Sequence, residues 1–197
     1  MIKRLFDITF ALSILIILSP ILIIIALLIK IDSKGEILFK QIRVGKNNND
    51  FKIFKFRTMF IDSEKEGYLS HGTHDKRITS IGKILRKFKL DELPQLLNVL
   101  IGDMSIVGPR PEVRKYVDFY NEEQMKVLTV KPGITEYASI EFVNENEILE
   151  QYDDIEKAYI ETIMPQKLNL NLRYVKSQSI LQDIRIIIQT FKKLILG

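Results

Sequence analysis

The chain has 197 residues, a formal charge of +4 and no cysteine. That length carries one compact domain with an accessory element, and the lack of cysteine excludes disulfides, thiolate catalysis and zinc–thiolate sites. The basic balance, with a pI of about 9.1, suits an anionic partner such as nucleic acid, phospholipid or a nucleotide-like substrate.

Ile8 to Ile29 is almost wholly apolar, interrupted by Thr9, Ser13 and Ser19-Pro20. As a helix it would be about 33 Å long, against a hydrocarbon core of about 30 Å. A signal peptide has a shorter apolar run and a small-residue cleavage site, and Lys30-Ile31-Asp32-Ser33-Lys34 is no such site. The segment is therefore expected to stay in the mature protein. Lys3 and Arg4 precede it, and Lys30 and Lys34 follow it. The positive-inside bias puts both ends on the cytoplasmic side, which a straight crossing cannot satisfy. A helix broken at Ser19-Pro20 can, by entering the bilayer and returning on the same face. Pro20 removes one i→i−4 bond, and Ser19 can bond a freed carbonyl. An ordinary spanning helix with a proline kink is the competing reading.

Ile37 to Arg43 and Phe51 to Arg57, separated by Asn47-Asn48-Asn49-Asp50, predict a β-hairpin. Lys40, Arg43, Lys52, Lys55 and Arg57 are expected to form a basic face on it, either for ligand or simply solvated. Phe60 to Arg77 reads as a polar connection, with His71 and His74 as loop residues rather than a metal ligand set. Ile78 to Leu90 is a basic amphipathic segment with Ile81, Ile84, Leu85 and Phe88 on its apolar side.

Asp91 and Glu92 open the next helix. Leu93, Leu96, Leu97, Leu100 and Ile101 form a stripe of period 3.6, Pro94 suits the first turn and Gly102 the C-cap. The two carboxylates then lie at a helix N-terminus behind Lys83, Arg86, Lys87 and Lys89. Asp91 as a plain N-cap is the bland alternative. Met104 to Val107 is short and apolar and leads into Gly108-Pro109-Arg110-Pro111-Glu112. There, two prolines restrict the backbone around Arg110 and lower the entropy cost of aiming its guanidinium. Carboxylates, cations and a fixed arginine suit metal-assisted chemistry on a phosphate. Further on, Pro111-Glu112 starts a helix bearing Val113, Tyr116, Val117 and Tyr120. Lys131 to Thr135 reads as a rigid turn, and Glu147 to Ile163 as a solvated acidic helix. Ile180, Ile184, Ile187, Ile188, Phe191, Leu194 and Ile195 form the stripe of a last interfacial or docking helix.

Several of these motifs together are specific. They are Lys3-Arg4-Leu5-Phe6-Asp7, Ser19-Pro20, Phe54-Lys55-Phe56-Arg57-Thr58-Met59, Leu90 to Leu100, Gly102 to Pro111 and Lys131-Pro132-Gly133-Ile134-Thr135. Through them the chain resembles the bacterial sugar transferases, also called monotopic phosphoglycosyl transferases. It is most like the small members, of the bacillosamine-phosphate transferase kind. The resemblance implies a mostly α fold with a small β-hairpin, held to the membrane by the re-entrant helix and interfacial amphipathic helices. Residues 1–34 would be the membrane helix with its flanks, and 35–197 the catalytic domain with a C-terminal amphipathic helix. The implied location is the inner membrane of a bacterium, with the catalytic domain on the cytoplasmic face.

The implied reaction moves a sugar 1-phosphate from a UDP-sugar to polyprenyl (undecaprenyl) phosphate, with Mg²⁺, and releases UMP. It would be the first membrane step of glycoconjugate assembly, with no nucleic-acid partner. A homo-oligomer stays open. Asp91 would be the nucleophile and form a covalent phosphosugar intermediate. Glu92 would be its partner in proton handling or metal placement, and Arg110 would meet a donor phosphate. Lys55, Arg57 and Arg86 are further phosphate or headgroup contacts.

One stretch departs from the family pattern. Where many members continue with Gly-Trp-Ala-Gln and an Asn-Gly-Arg loop, this chain has Glu136-Tyr137-Ala138-Ser139 and no arginine, with Val143 near its place. Tyr137 could stack on a base or sugar where tryptophan would. Two other classes stay open: a membrane-anchored basic binding protein, and a phosphohydrolase that uses Asp91 with water.

Overall fold

A computed structural model describes residues 1–61, 63, 75–142, 145–149 and 151–196. His71, His74 and Val143 lie outside the described residues. The chain is mostly helical. Helix α1 (Ile2–Asp32) leads into a hairpin of β1 (Leu38–Val44) and β2 (Asp50–Phe56), followed by α2 (Ser80–Lys87) and α3 (Gln95–Ile101). Then come β3 (Ser105–Val107), α4 (Arg114–Val117) and β4 (Gly133–Thr135). The rest is helical: α5 (Tyr137–Glu141), α6 (Glu145–Leu149), α7 (Ile155–Ala158), α8 (Met164–Lys176) and α9 (Ile180–Leu196).

Helical backbone conformation continues through the expected break at Ser19-Pro20, with Pro20 inside α1. Ser19 Oγ donates to Ile16 O at 2.8 Å. Ile16 is four residues before Pro20, so this is the carbonyl that the missing proline N–H leaves without its helical donor. Most of α1 faces away from the protein, which is consistent with a membrane segment. Its first half packs through Ala11 against Leu96 and Val99 of α3. Its second half packs through Ile25 and Ile29 against Phe56 and Leu85.

The hairpin forms as expected, with Phe39 opposite Lys55 and Ile42 opposite Lys52. Its basic residues do not share one face. Strand alternation sends Lys40 and Lys52 outward, whereas Arg43 and Lys55 turn inward. The Lys131 to Thr135 turn is instead an extended strand: β4 pairs in parallel with β3. Gly108 and Gly133 lie back to back at this pairing. A Cβ on Gly133 would come within 2.7 Å of Gly108 Cα, so neither position has room for a side chain.

The stripe on α3 is only half right. Leu96 and Val99 are buried, while Leu97 and Ile101 face out and polar Gln95 and Asn98 are buried in their place. The acidic helix expected over Glu147 to Ile163 is two short helices, α6 and α7, with a π-helical turn over Tyr159–Ile163. Asp154 caps α7 by accepting from Lys157 N at 2.9 Å. The apolar side chains Leu149, Ala158, Tyr159 and Ile163 join a second core with Val113, Tyr116 and Leu168. Helix α9 buries Asp183, Ile186 and Ile187 and leaves Leu181, Ile184, Ile188 and Phe191 exposed.

Candidate active site

Asp91 and Glu92 sit in a single 3₁₀ turn, Leu90–Glu92, ahead of α3 rather than in its first turn. Lys89 makes the entry with φ +56°, a left-handed conformation that costs energy for a side-chain-bearing residue. Gly102 closes α3 with φ +102°, the expected C-cap. Asn98 ties α3 to the hairpin. Its Oδ1 accepts from Phe54 N at 2.9 Å and its Nδ2 donates to Lys52 O at 2.7 Å. This fixes the strand that bears Lys55 beside the turn that bears Glu92.

The three expected charges Lys55, Glu92 and Arg110 come together. Lys55 Nζ donates to Glu92 Oε1 at 2.9 Å, and Arg110 donates to Oε1 at 2.5 Å and to Oε2 at 3.3 Å. Burial alone would raise the Glu92 carboxyl, but Arg110 and Lys55, by charge and hydrogen bond, hold it well below the usual range. Asp91 is the reverse case. Burial first and then the charge of Glu92 push its carboxyl up, against the pull of Lys55, Arg86 and Lys89. Its Oδ1 is buried and takes no hydrogen bond among the described residues. Arg86 lies near enough to act on Asp91, and its Nε donates to Thr58 Oγ1 at 3.0 Å.

Arg110 is held from several sides. Arg43 donates to Pro111 O at 3.1 Å, Gly133 N donates to Pro109 O at 2.9 Å, and Val44 N donates to Glu112 O at 2.8 Å. Tyr159 OH donates to Glu112 Oε1 at 2.5 Å. The loop that carries Arg110 is thus built into the β3–β4 pair and the end of β1.

Two expected site residues have other contacts in the structure. Arg57 is buried with its guanidinium at the C-terminal end of α1 and the residues just after it: Ile29 O at 3.4 Å, Ser33 O at 2.7 Å and Lys34 O. That is a helix C-cap, favoured by charge and geometry. Tyr137 packs against the core around α1 and α3 and is partly buried there. Three polar residues outside the expected site set also build the framework of the site. Asn98 and Asn171 each break an apolar helix face, and Glu136 interrupts an apolar stretch after β4. A polar residue at a buried register was the available signal.

A family model described as bacterial sugar transferase matches residues 1–197. An Aeromonas hydrophila protein named UDP-N-acetylgalactosamine-undecaprenyl-phosphate N-acetylgalactosaminephosphotransferase is 38% identical over 199 residues, covering 100% of this chain and 44% of its own length. The UDP-glucose:undecaprenyl-phosphate glucose-1-phosphate transferase of Escherichia coli (strain K12) is 37% identical over 98% of this chain and 40% of its own length. A Bacillus subtilis (strain 168) protein named uncharacterized sugar transferase EpsL is 35% identical over 99% of this chain and 88% of its own. The chain therefore spans less than half the length of the first two and most of the third. With a family match from its first residue to its last, the chain belongs to the bacterial sugar transferase family.

Proposed function

We propose that the chain transfers a sugar 1-phosphate from a UDP-sugar to undecaprenyl phosphate and releases UMP. Asp91 carries this reading: a buried carboxylate with one oxygen unpartnered among the described residues, next to a Glu92 already held by two cations. The names of the Aeromonas and Escherichia relatives support the substrate class.

Asp91 attacks the sugar-bearing phosphorus of the donor. A phosphorus–oxygen bond to Asp91 forms, the bond to the UMP oxygen breaks, and UMP leaves with the electron pair. An oxygen of the lipid phosphate then attacks the same phosphorus and releases Asp91 as a carboxylate. Two steps through one nucleophile replace one hard transfer. Lys55, Arg86, Lys89 and Arg110 offset the repulsion between an anionic nucleophile and a diphosphate. Ionised across neutral pH and bonded to Lys55 and Arg110, Glu92 orients these cations and does not carry a proton.

Magnesium fits through one carboxylate. Asp91 Oδ1 has no donor on it, whereas both Glu92 oxygens are engaged. Among the described residues no group of three or more acidic or histidine ligands encloses a cation. One carboxylate plus substrate phosphates is a common Mg²⁺ ligand set, so Asp91 rather than Glu92 would hold it. Bound there it supplies Lewis-acid charge to the phosphate oxygens.

In this reading α1 enters and leaves the bilayer on the cytoplasmic face, where the lipid phosphate meets soluble donor. Both ends of α1 are bonded to one protein body, which supports it. Arg4 donates to Leu100 O at 2.8 Å, and Asp7 accepts from Ile106 N at 3.1 Å. Asp32 accepts from Ile81 N at 3.1 Å. A crossing helix would hold its ends on opposite sides of a core about 30 Å thick.

The test is UMP release from a panel of UDP-sugars with Mg²⁺, with and without undecaprenyl phosphate, for wild type and Asp91→Asn. Multiple-turnover release that needs both the lipid and Asp91 is expected, with at most one equivalent released without lipid and Asp91→Asn lower by about 10³-fold or more. Continued release beyond one equivalent without lipid would make the chain a phosphohydrolase, and none from a folded, membrane-bound protein would make it a binding protein.

A further inference from the structure

Glu136 is 2% exposed and does not belong to the Asp91–Glu92 group. Its Oε2 accepts from Arg110 N at 2.8 Å and from Asn171 Nδ2 at 2.8 Å, and its Oε1 lies 3.4 Å from Ser139 Oγ. Among the described residues no lysine or arginine is ion-paired with it. A buried carboxylate is tolerated where its oxygens find donors, and the charges of Arg110 and Lys167 also act on Glu136. Its principal donor explains its place. Proline has no N–H, so within Pro109-Arg110-Pro111 the only main-chain donor is Arg110 N, and Glu136 takes it. The side chain of the same arginine reaches Glu92. Arg110 is therefore fixed at both ends by carboxylates, with Glu136 on its backbone and Glu92 on its guanidinium. Both carboxylates also favour its charged form. Asn171, 4% exposed and anchored on α8, holds Glu136 in turn.

We infer that Glu136 is a positioning residue that aims Arg110 at the anionic phosphate of the donor. The inference rests on the proposed transfer reaction. It makes the donor half of that reaction, and not the lipid half, sensitive to Glu136. A displacement of about 1 Å in such a group costs up to about a hundredfold in rate.

The test uses the full chain in lipid nanodiscs, as wild type, Glu136→Ala and Glu136→Gln, with a UDP-sugar that wild type accepts and undecaprenyl phosphate. Glutamine keeps an acceptor for Arg110 N and offers its amide to Ser139 Oγ; alanine keeps neither. The expected result for Glu136→Ala is a roughly ten- to hundredfold fall in kcat/KM for the donor, with less than about a threefold fall for the lipid. Glu136→Gln should recover most of the donor constant. A merely structural role would reduce the active fraction and lower both constants by one factor, and that result would overturn the inference. Titration with UDP, read by calorimetry, gives an independent arm. Weaker UDP binding in Glu136→Ala, restored in Glu136→Gln, supports the inference, and equal affinities overturn it. If wild type released no UMP, the proposed reaction would fall and the UDP titration alone would decide this point.

Discussion

Replacing Glu92 with glutamine removes the negative centre of a three-charge cluster and keeps its shape. The Glu92 side chain is 13% exposed, Lys55 16% and Arg110 33%. Glutamine retains one acceptor oxygen and turns an amide N–H₂ toward the other cation. Breaking a buried ion pair by removing one partner costs about 3–5 kcal/mol, because the remaining charges stay desolvated. Arg110 is exposed enough for water to recover part of that, so we expect about 3 kcal/mol. For a chain of this size that lowers Tm by about 6–12 °C. Lys55→Met leaves both Arg110 contacts on Glu92 and should cost less, and the double variant should show a coupling of about 1–3 kcal/mol. Far-UV circular dichroism of the protein in one detergent at pH 7.5 measures all four proteins. The pH dependence has a definite sign. Glu92 is depressed in the folded state relative to its usual 4.5, so its contribution is complete above that value and fades as pH falls through the depressed one. The gap between wild type and Glu92→Gln should be constant from about pH 8 to 5 and close only on further acidification. A Tm within about 2 °C of wild type at pH 7.5 would refute the view that these three charges form one stabilising unit.

Other outcomes follow from the same geometry. Arg57→Met should lower stability by about 2–3 kcal/mol by uncapping three carbonyls at the end of α1, while the donor KM of the protein that stays folded changes by less than about twofold. A donor KM that rises as it does for an Arg110 variant would instead make Arg57 a substrate contact. Asp91 must be ionised to attack, and burial and Glu92 raise its carboxyl. The acid limb of kcat/KM for the donor should therefore lie above the usual 3.8 of an aspartate, with rate rising as pH increases through it; a limb at or below 3.8 would contradict this. The chain has no cysteine, so single cysteines at Ile2 and Lys34 can be labelled without background. In intact spheroplasts both should resist an impermeant maleimide and react after lysis. Labelling of either one in intact cells would make α1 a crossing helix.

Local chemistry made much of this protein readable in one dimension. The apolar run of α1, the hairpin with its Asn-rich turn, the Gly102 cap and the proline-flanked arginine each follow from side-chain preferences over a few residues. The Asp91-Glu92 pair and Arg110 could be named for the same reason: their neighbours in sequence already supplied a turn and a restricted backbone. Long-range packing decided the rest. Periodicity could mark α3 as amphipathic but not choose its buried side. That side was set by what stands opposite, where Asn98 meets the open main-chain groups of β2 while Leu97 faces outward. The basic residues of the hairpin were visible as a set. Their division between Lys55 on Glu92, Arg43 on Pro111, Arg57 on the end of α1 and two exposed lysines depended on which elements cover each face. Glu136 shows the limit most sharply. Its neighbours give it no role, because its partners lie 26 and 35 positions away and a buried carboxylate is tolerated only where such donors converge. A sequence specifies residue types and short-range conformation. Which charges end up buried together is decided by the fold, since desolvation and Coulomb energy depend on distance in space rather than along the chain.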